Sequence, residues 1–366
     1  MGPQSEKQLL ADGYDALAAL LNEGPGLELQ RRPAPYEARD DAGYDAFWEV
    51  AGDASSYIGT FIVEAKARVT PRTVEHLRPM LRPARLHLMH EPTVLILAPW
   101  ISPRSRALIA EEGWSYLDLT GNALIRMRRP ALYVRLAGSD TDPNPRERSE
   151  VLLRGTQIHA LVRVLADVEP PYRLADLTEV TGLSKGYLSK ALSSLHEQGL
   201  IDRPGSGPVT GVDWPQLLRA RAAEYQVLRT NRSITYLARR GLDVLLRELH
   251  AAPEVLVTGS YAAHRIAPVA APAQLLLYVP DIDTYAKRWE LLATSTGANV
   301  VLLEAASGSQ LERPHDVDGL RHVGYSQLVM DLLSGNGRLP EEGEAVLQWM
   351  IDTPGWRLPD LKALRQ

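Results

Sequence analysis

Asp45, Glu64 and Lys66 are charged residues set into otherwise apolar, strand-forming runs, YDAFWEV and FIVEAKARV. Alternation along an extended strand puts Glu64 and Lys66 on one face. Two carboxylates can hold a hard divalent cation such as Mg²⁺, and a neighbouring lysine can orient water and offset phosphate charge. The set therefore fits metal-dependent phosphodiester hydrolysis. Asp45 and Glu64 are the candidate metal ligands, all three are candidate catalytic residues, and Glu6 on the first helix is a candidate additional acid. The plainer alternative is an ion pair between Glu64 and Lys66 on an edge strand. His76, His87 and His90 lie close in sequence but have no standard zinc spacing, and read as surface or core histidines.

A second set suits nucleic acid. In TQIHALVRVLADV the apolar residues Ile158, Leu161, Val162, Leu165 and Val168 recur at helical spacing. RLADLTEVTG then gives a short helix ending at Gly182, and Ser184 is placed to cap GYLSKALSSLHEQG. With Leu188, Leu192 and Leu195 turned to the core, Lys185, Tyr187, Ser189 and Lys190 project from the first half of that helix. In a helix-turn-helix this half enters the major groove, where lysine and serine reach phosphates and base edges. The run LIDRPGSGPVTGV follows as strand, turn and strand, a wing whose Arg203 is expected to meet the DNA backbone or minor groove. A helix-turn-helix used only for protein contacts is the alternative.

The third set is weaker in chemistry. Gly259 and Ser260 follow the apolar run EVLVT, where a turn can offer backbone N–H groups to a nucleotide phosphate. The next strand, QLLLYV, carries no acid, and Asp281 and Asp283 come only after Pro280. Gly259 and Ser260 are thus expected to be a vestigial nucleotide site, or a simple strand-to-helix turn.

A chain of 366 residues exceeds what one core usually organises. Three domains are expected: 1–140, 149–240 and 241–366, with the Pro/Gly/Asp-rich segment GSDTDPNPRERSE (138–150) as linker. Apolar runs YDAFWEV, YIGTFIVEA, TVLILAP and ALYVRL, with helices over 5–22 and 103–112, make the first part α/β. The last part repeats that mixture through EVLVTGS, QLLLYV and NVVLLEA and ends helical. The absence of cysteine removes disulfides, thiolate zinc sites and cysteine nucleophiles. The opening residues MGPQSEKQLL lack a basic and an apolar signal region, and no apolar run spans a membrane, so a cytoplasmic, nucleoid-associated protein without membrane contact is expected. Net charge is −5 overall, yet residues 149–240 hold 12 Lys+Arg against 9 Asp+Glu, a local +3.

These motifs resemble known families. Residues 174–201 match the winged-helix regulator pattern L-A-x-x-T-G-L-S-x-x-x-L-S-x-x-L-x-x-L-x-x-x-G-L-I almost throughout. Asp45, Glu64 and Lys66, spaced D-x18-E-x-K, resemble the PD-(D/E)xK nuclease fold, especially its Mrr-like group, with TVLILAPWISPRSRALIAEEGWSYLDLTGNALI resembling the later strand, helix and strand. VLVTGSYAAHRIAPVAAPAQLLLYV resembles the opening of nucleotidyltransferase-like domains, here expected to be inactive. Across most of 110–350 the chain is similar to actinobacterial helix-turn-helix proteins related to AbiEi-type antitoxins. The resemblances imply an α/β multidomain chain with a restriction-endonuclease-like N-terminal domain, a central winged helix and a nucleotidyltransferase-like C-terminal domain. They imply a transcriptional regulator, a repressor, that binds double-stranded DNA as a homodimer. A nucleotidyltransferase toxin is the further partner they allow. DNA binding needs no cofactor, whereas nuclease activity needs Mg²⁺.

Overall fold

The computed structural model describes residues 5–23, 26–32, 44–52, 57–86, 92–127, 131–143 and 153–365. His87, His90 and most of the expected linker lie outside them. The chain is mixed α/β and forms two compact units, residues 1–150 with 197–199, and residues 151–196 with 200–366.

The first unit runs α1 (Glu6–Glu23), β1 (Glu28–Arg31), β2 (Ala46–Ala51), β3 (Tyr57–Ala65), α2 (Pro71–Leu86), β4 (Thr93–Ala98), α3 (Pro103–Glu111), β5 (Ser115–Asp118), β6 (Ala123–Met127) and β7 (Leu132–Leu136). Its seven strands lie in chain order in one sheet. The β1–β2–β3 pairings are antiparallel, β3, β4 and β5 are parallel, and β6 and β7 return antiparallel. The parallel centre is covered on both faces, which is why TVLILA reads as an unbroken apolar run. Leu95 and Leu97 share a core with Leu9, Leu17 and Leu21 of α1. Val94 and Ile96 pack with Val74, Leu77 and Leu81 of α2 and Ile109 of α3. Helix α1 lies so close to the sheet that a Cβ on Gly13 would stand 2.3 Å from a Leu97 methyl.

The second unit opens with α4 (Thr156–Asp167), α5 (Leu174–Thr181), α6 (Lys185–Glu197), β8 (Ile201–Asp202), β9 (Gly211–Val212) and α7 (Trp214–Glu224). It continues through α8 (Val227–Thr230), β10 (Arg232–Leu237), α9 (Leu242–Leu249), β11 (Leu256–Thr258), α10 (Gly259–His264), β12 (Leu275–Tyr278), α11 (Ile282–Arg288), β13 (Leu292–Ala293), β14 (Val300–Glu304), β15 (His315–Val317), β16 (Leu320–His322), α12 (Tyr325–Leu333) and α13 (Leu339–Asp352). Strands β8 and β9 form a separate antiparallel hairpin. The other seven form a sheet ordered β13-β10-β14-β12-β11-β16-β15.

The boundary expected near 240 is not a break in this structure. Strand β10, expected inside the winged-helix segment, sits within the C-terminal sheet and pairs with both β13 and β14. One apolar core also runs without interruption from Leu153 through Leu188 and Leu217 to Met350. The sequence misplaced the boundary because β10, Arg232–Leu237, alternates polar and apolar residues over a short length with no turn signal before it.

Candidate nucleic-acid interface and carboxylate–lysine cluster

Helix α5 ends at Gly182 in the left-handed region, φ 67°, a conformation that costs a residue with a Cβ and that glycine adopts freely. Three residues later the chain is helical again. The Ser184 hydroxyl accepts from the Tyr187 backbone N–H at 3.2 Å, so Ser184 caps α6 as its type and position suggested. Leu188, Ala191, Leu192 and Leu195 are buried, which leaves Ser184, Lys185, Gly186, Ser189, Lys190 and Ser193 on the outer face. Neither lysine has an ion-pair partner among the described residues. The stripe is polar and slightly basic, with small residues on either side of the two lysines.

Two expected contacts sit differently. Tyr187 is half-buried and packs against the core, and burial pushes its hydroxyl pKa up. Arg203 does not reach outward: it is 4% exposed, and its Nε donates to the Gly207 carbonyl at 2.8 Å and its Nη2 to the Ser206 carbonyl at 2.9 Å. The guanidinium is consumed in closing the PGSGP turn, whose carbonyls would otherwise lack donors. The exposed wing tip is then Pro204, Gly205 and Ser206, which carry no charge.

In the first unit the three candidate catalytic residues converge. The register that pairs Ala46 with Val63 brings Asp45 beside Glu64. Asp45 is held there by Ala65, whose backbone N–H donates to its Oδ2 at 2.7 Å. The Lys66 ammonium meets the Glu64 carboxylate and lies 3.8 Å from Asp45 Oδ2. Glu64 is buried, and its Oε2 has no hydrogen-bond partner. Burial pushes the Glu64 carboxyl up, a shift that Lys66 only partly offsets. Burial would lower the Lys66 ammonium, but Glu64 and Asp45 outweigh it and hold the pKa above its ordinary value. Glu6 at the start of α1 contributes a weaker field to both. No cluster of three or more His, Cys, Asp or Glu suited to a metal occurs among the described residues. Asp45 and Glu64 would thus be a two-carboxylate site, with the orphaned Glu64 oxygen as the atom available to a cation. His76 is exposed on α2, apart from any such cluster.

At the Gly259–Ser260 turn the side-chain hydroxyls face carboxylates. Gly259 takes φ 68° with Leu276 against it, and the Ser260 hydroxyl donates to Glu342 Oε2 at 2.6 Å. Just before it the Thr258 hydroxyl donates to Asp331 Oδ2 at 2.7 Å. Both acids are buried, so both hydroxyls are turned inward. Asp281 caps α11 by accepting from the Thr284 N–H, and Asp283 pairs with Arg232 at 3.0 Å. They do not form a metal-binding pair with one another.

Sequence reasoning overlooked a buried polar seam in the second unit. His159, Arg163 and Asp167 follow one another at i, i+4 and i+8 of α4, a stripe that was visible in TQIHALVRVLAD but lay behind its apolar pattern. Arg163 donates to the Ser309 and Glu312 carbonyls at 3.0 and 2.7 Å and pairs with Asp167 at 3.3 Å. Burial alone would raise the Asp167 carboxyl, but Arg163 and Arg313 outweigh it and hold the pKa low. His159 Nε2 meets Gln327 Oε1 at 2.8 Å, and Gln327 donates to Asp331, which also accepts from Tyr225 and Tyr278. This seam joins α4, the helix before the helix-turn-helix pair, to α12.

No protein-family model matches the chain, and neither the curated proteins nor the solved structures compared with it give a match.

Proposed function

We propose that this chain is a sequence-specific DNA-binding transcriptional regulator, a repressor, that reads duplex DNA through α6. The observation that carries the reading is the outer face of α6, where Ser184, Lys185, Ser189 and Lys190 stand exposed behind a left-handed glycine turn and beside a two-stranded wing. Lysines at the start of a helix add their charge to the helix dipole, so phosphate is attracted there by both. Ser189 and Lys190 lie one turn further in and are placed for base edges. The wing contributes backbone and Ser206 rather than Arg203. A homodimer on a palindromic site is the expected assembly.

The test is to select bound sequences from a random duplex pool and measure affinity for the winner across salt concentrations. Replacing Lys185 and Lys190 with Ala should weaken binding and flatten the salt slope by roughly one unit for each phosphate that a lysine no longer neutralises. Unchanged affinity and slope would refute α6 as the reader.

A second reading rests on a separate observation, the convergence of Asp45, Glu64 and Lys66 at one end of β2 and β3. It makes the first unit a divalent-metal-dependent DNA endonuclease on a restriction-endonuclease-like fold, and β4, α3 and β5 supply the strand, helix and strand that this resemblance implies. Asp45 and Glu64 would hold Mg²⁺, which supplies Lewis acidity and lowers the pKa of a bound water. Lys66 would turn from carboxylate partner to phosphate partner. Plasmid nicking in Mg²⁺ or Mn²⁺ that Lys66→Ala abolishes supports this reading; wild-type protein inert in both metals rejects it. An antitoxin role, through a nucleotidyltransferase-like C-terminal region, draws on sequence resemblance alone; co-purification of a nucleotidyltransferase toxin co-expressed with the chain would support it, and failure to co-purify would count against it.

A further inference from the structure

Arg221, near the end of α7, is 2% exposed and has no carboxylate partner among the described residues. Its Nε and Nη1 are buried without hydrogen-bond acceptors. Only Nη2 finds one, the Gly155 carbonyl at 3.5 Å, and the guanidinium lies over the Tyr225 ring at 4.9 Å. The nearest acid in sequence, Glu224, is already paired with Arg154. A guanidinium stays charged, and a buried charge without a partner is strongly unfavourable. Such a group calls for a counter-ion.

The place where it sits is prepared for one. Gly155 is the N-cap of α4, a helix of 12 residues, and it makes no side-chain cap bond; the first turn carries no acid. The leading N–H groups of α4 therefore keep their partial positive charge without a carboxylate to meet it. His159, one turn into α4, is 2% exposed and lies tilted against the same Tyr225 ring with centroids 5.4 Å apart, and its Nδ1 is also buried and unpartnered. Burial first, then the positive charge of Arg221, lowers its pKa to about 3. Three buried nitrogen atoms without partners thus belong to two side chains that flank one tyrosine beside an uncapped helix start.

We propose that a compact oxyanion, the carboxylate or phosphate group of a small molecule, binds between Arg221 and the N-terminus of α4. The orphaned N–H groups of the guanidinium offer it charge-assisted donors, and the helix start adds backbone donors. Neutral His159 donates through Nε2 to Gln327, which leaves Nδ1 as an acceptor for the hydroxyl of a hydrogen phosphate; a carboxylate carries no such proton. Tyr187 of α6 lies within the electrostatic reach of Arg221, which connects the site to the helix that carries Lys185 and Lys190. That connection to DNA binding rests on the function proposed above; occupancy of the site does not.

The experiment is a thermal melt of the full chain in inorganic phosphate and in acetate against chloride at constant ionic strength. Wild type should gain Tm with phosphate or acetate concentration, as mass action requires for a ligand of the folded state. Arg221→Met, which fills the same volume without charge, should melt higher than wild type without anion and show no anion-specific gain. Arg221→Lys, which keeps the charge, should retain a weaker response and guards against a trivial folding defect. A wild-type Tm that neither anion moves, or an equal response in Arg221→Met, overturns the proposal. Measuring affinity for selected DNA alongside separates the two readings. An absent anion response with intact DNA binding sinks this site alone, whereas an intact anion response with no DNA binding sinks the regulator alone.

Discussion

The hydroxyl of Thr258 donates to the carboxylate of Asp331 across 2.7 Å in the interior of the second unit, and Asp331 accepts as well from Gln327, Tyr225 and Tyr278. Even so surrounded, the acid titrates high: burial raises its pKa from 3.8 to about 6, and the four donors only limit the rise.

A pH dependence follows. Below pH 3.8 Asp331 is protonated in both folded and unfolded chains and costs nothing. Between there and about pH 6 only the unfolded chain ionises, so stability falls as pH rises, by about 3 kcal/mol in total, and the loss is complete above the folded pKa. Urea unfolding across pH 4 to 7 should show this falling component, and Asp331→Asn should remove it. A wild-type slope that the substitution leaves untouched would assign the titration to another group.

Lys66→Ala should destabilise the first unit by about 1–3 kcal/mol, because it leaves buried Glu64 without its cation. Pairing it with Glu64→Gln should recover most of that loss. Denaturant melts of the two variants decide whether the cluster is coupled as its geometry requires. If both variants melt alike, Glu64 is solvated by something other than Lys66.

At the turn before α6, Gly182→Ala should cost about 1–2 kcal/mol from the backbone alone, since no neighbour stands within 4 Å of the added Cβ. Ser184→Ala should cost about 1 kcal/mol through loss of the cap. Both are surface changes, so a larger loss in either would mean that more than φ or one hydrogen bond is at stake there.

Arg203→Ala separates two meanings of a wing arginine. Holding the Ser206 and Gly207 carbonyls, it should lower DNA affinity by loosening the turn while leaving the salt slope unchanged. A slope flattened by about one unit would instead show that the guanidinium meets a phosphate directly.

Local patterns made the helix-turn-helix legible. The cap at Ser184, the glycine at 182 and the leucine spacing of α6 are decided by neighbours in sequence, and each was found where its residue type suggested. Asp45, Glu64 and Lys66 were likewise found together, because strand alternation and one antiparallel register suffice to unite them. Arg203 was misjudged since an arginine in a tight turn has carbonyls nearer than any solvent-side partner. Arg221, His159 and Asp331 left little trace, for their partners lie on α4, α7 and α12, and only tertiary packing brings those helices to one tyrosine. Strand β10 was lost to the winged-helix segment for the same reason: six residues state an alternation but not the sheet they join.

The uninterrupted core from Leu153 to Met350 has a practical corollary. A fragment ended at residue 240 would carry Leu217, Leu218, Tyr225 and Val227 into water and strip β10 of both neighbours. The segment 149–240 is therefore no detachable cassette to be grafted or expressed by itself. α4 and the C-terminal sheet are built on one core, so neither can be cut away without exposing the other.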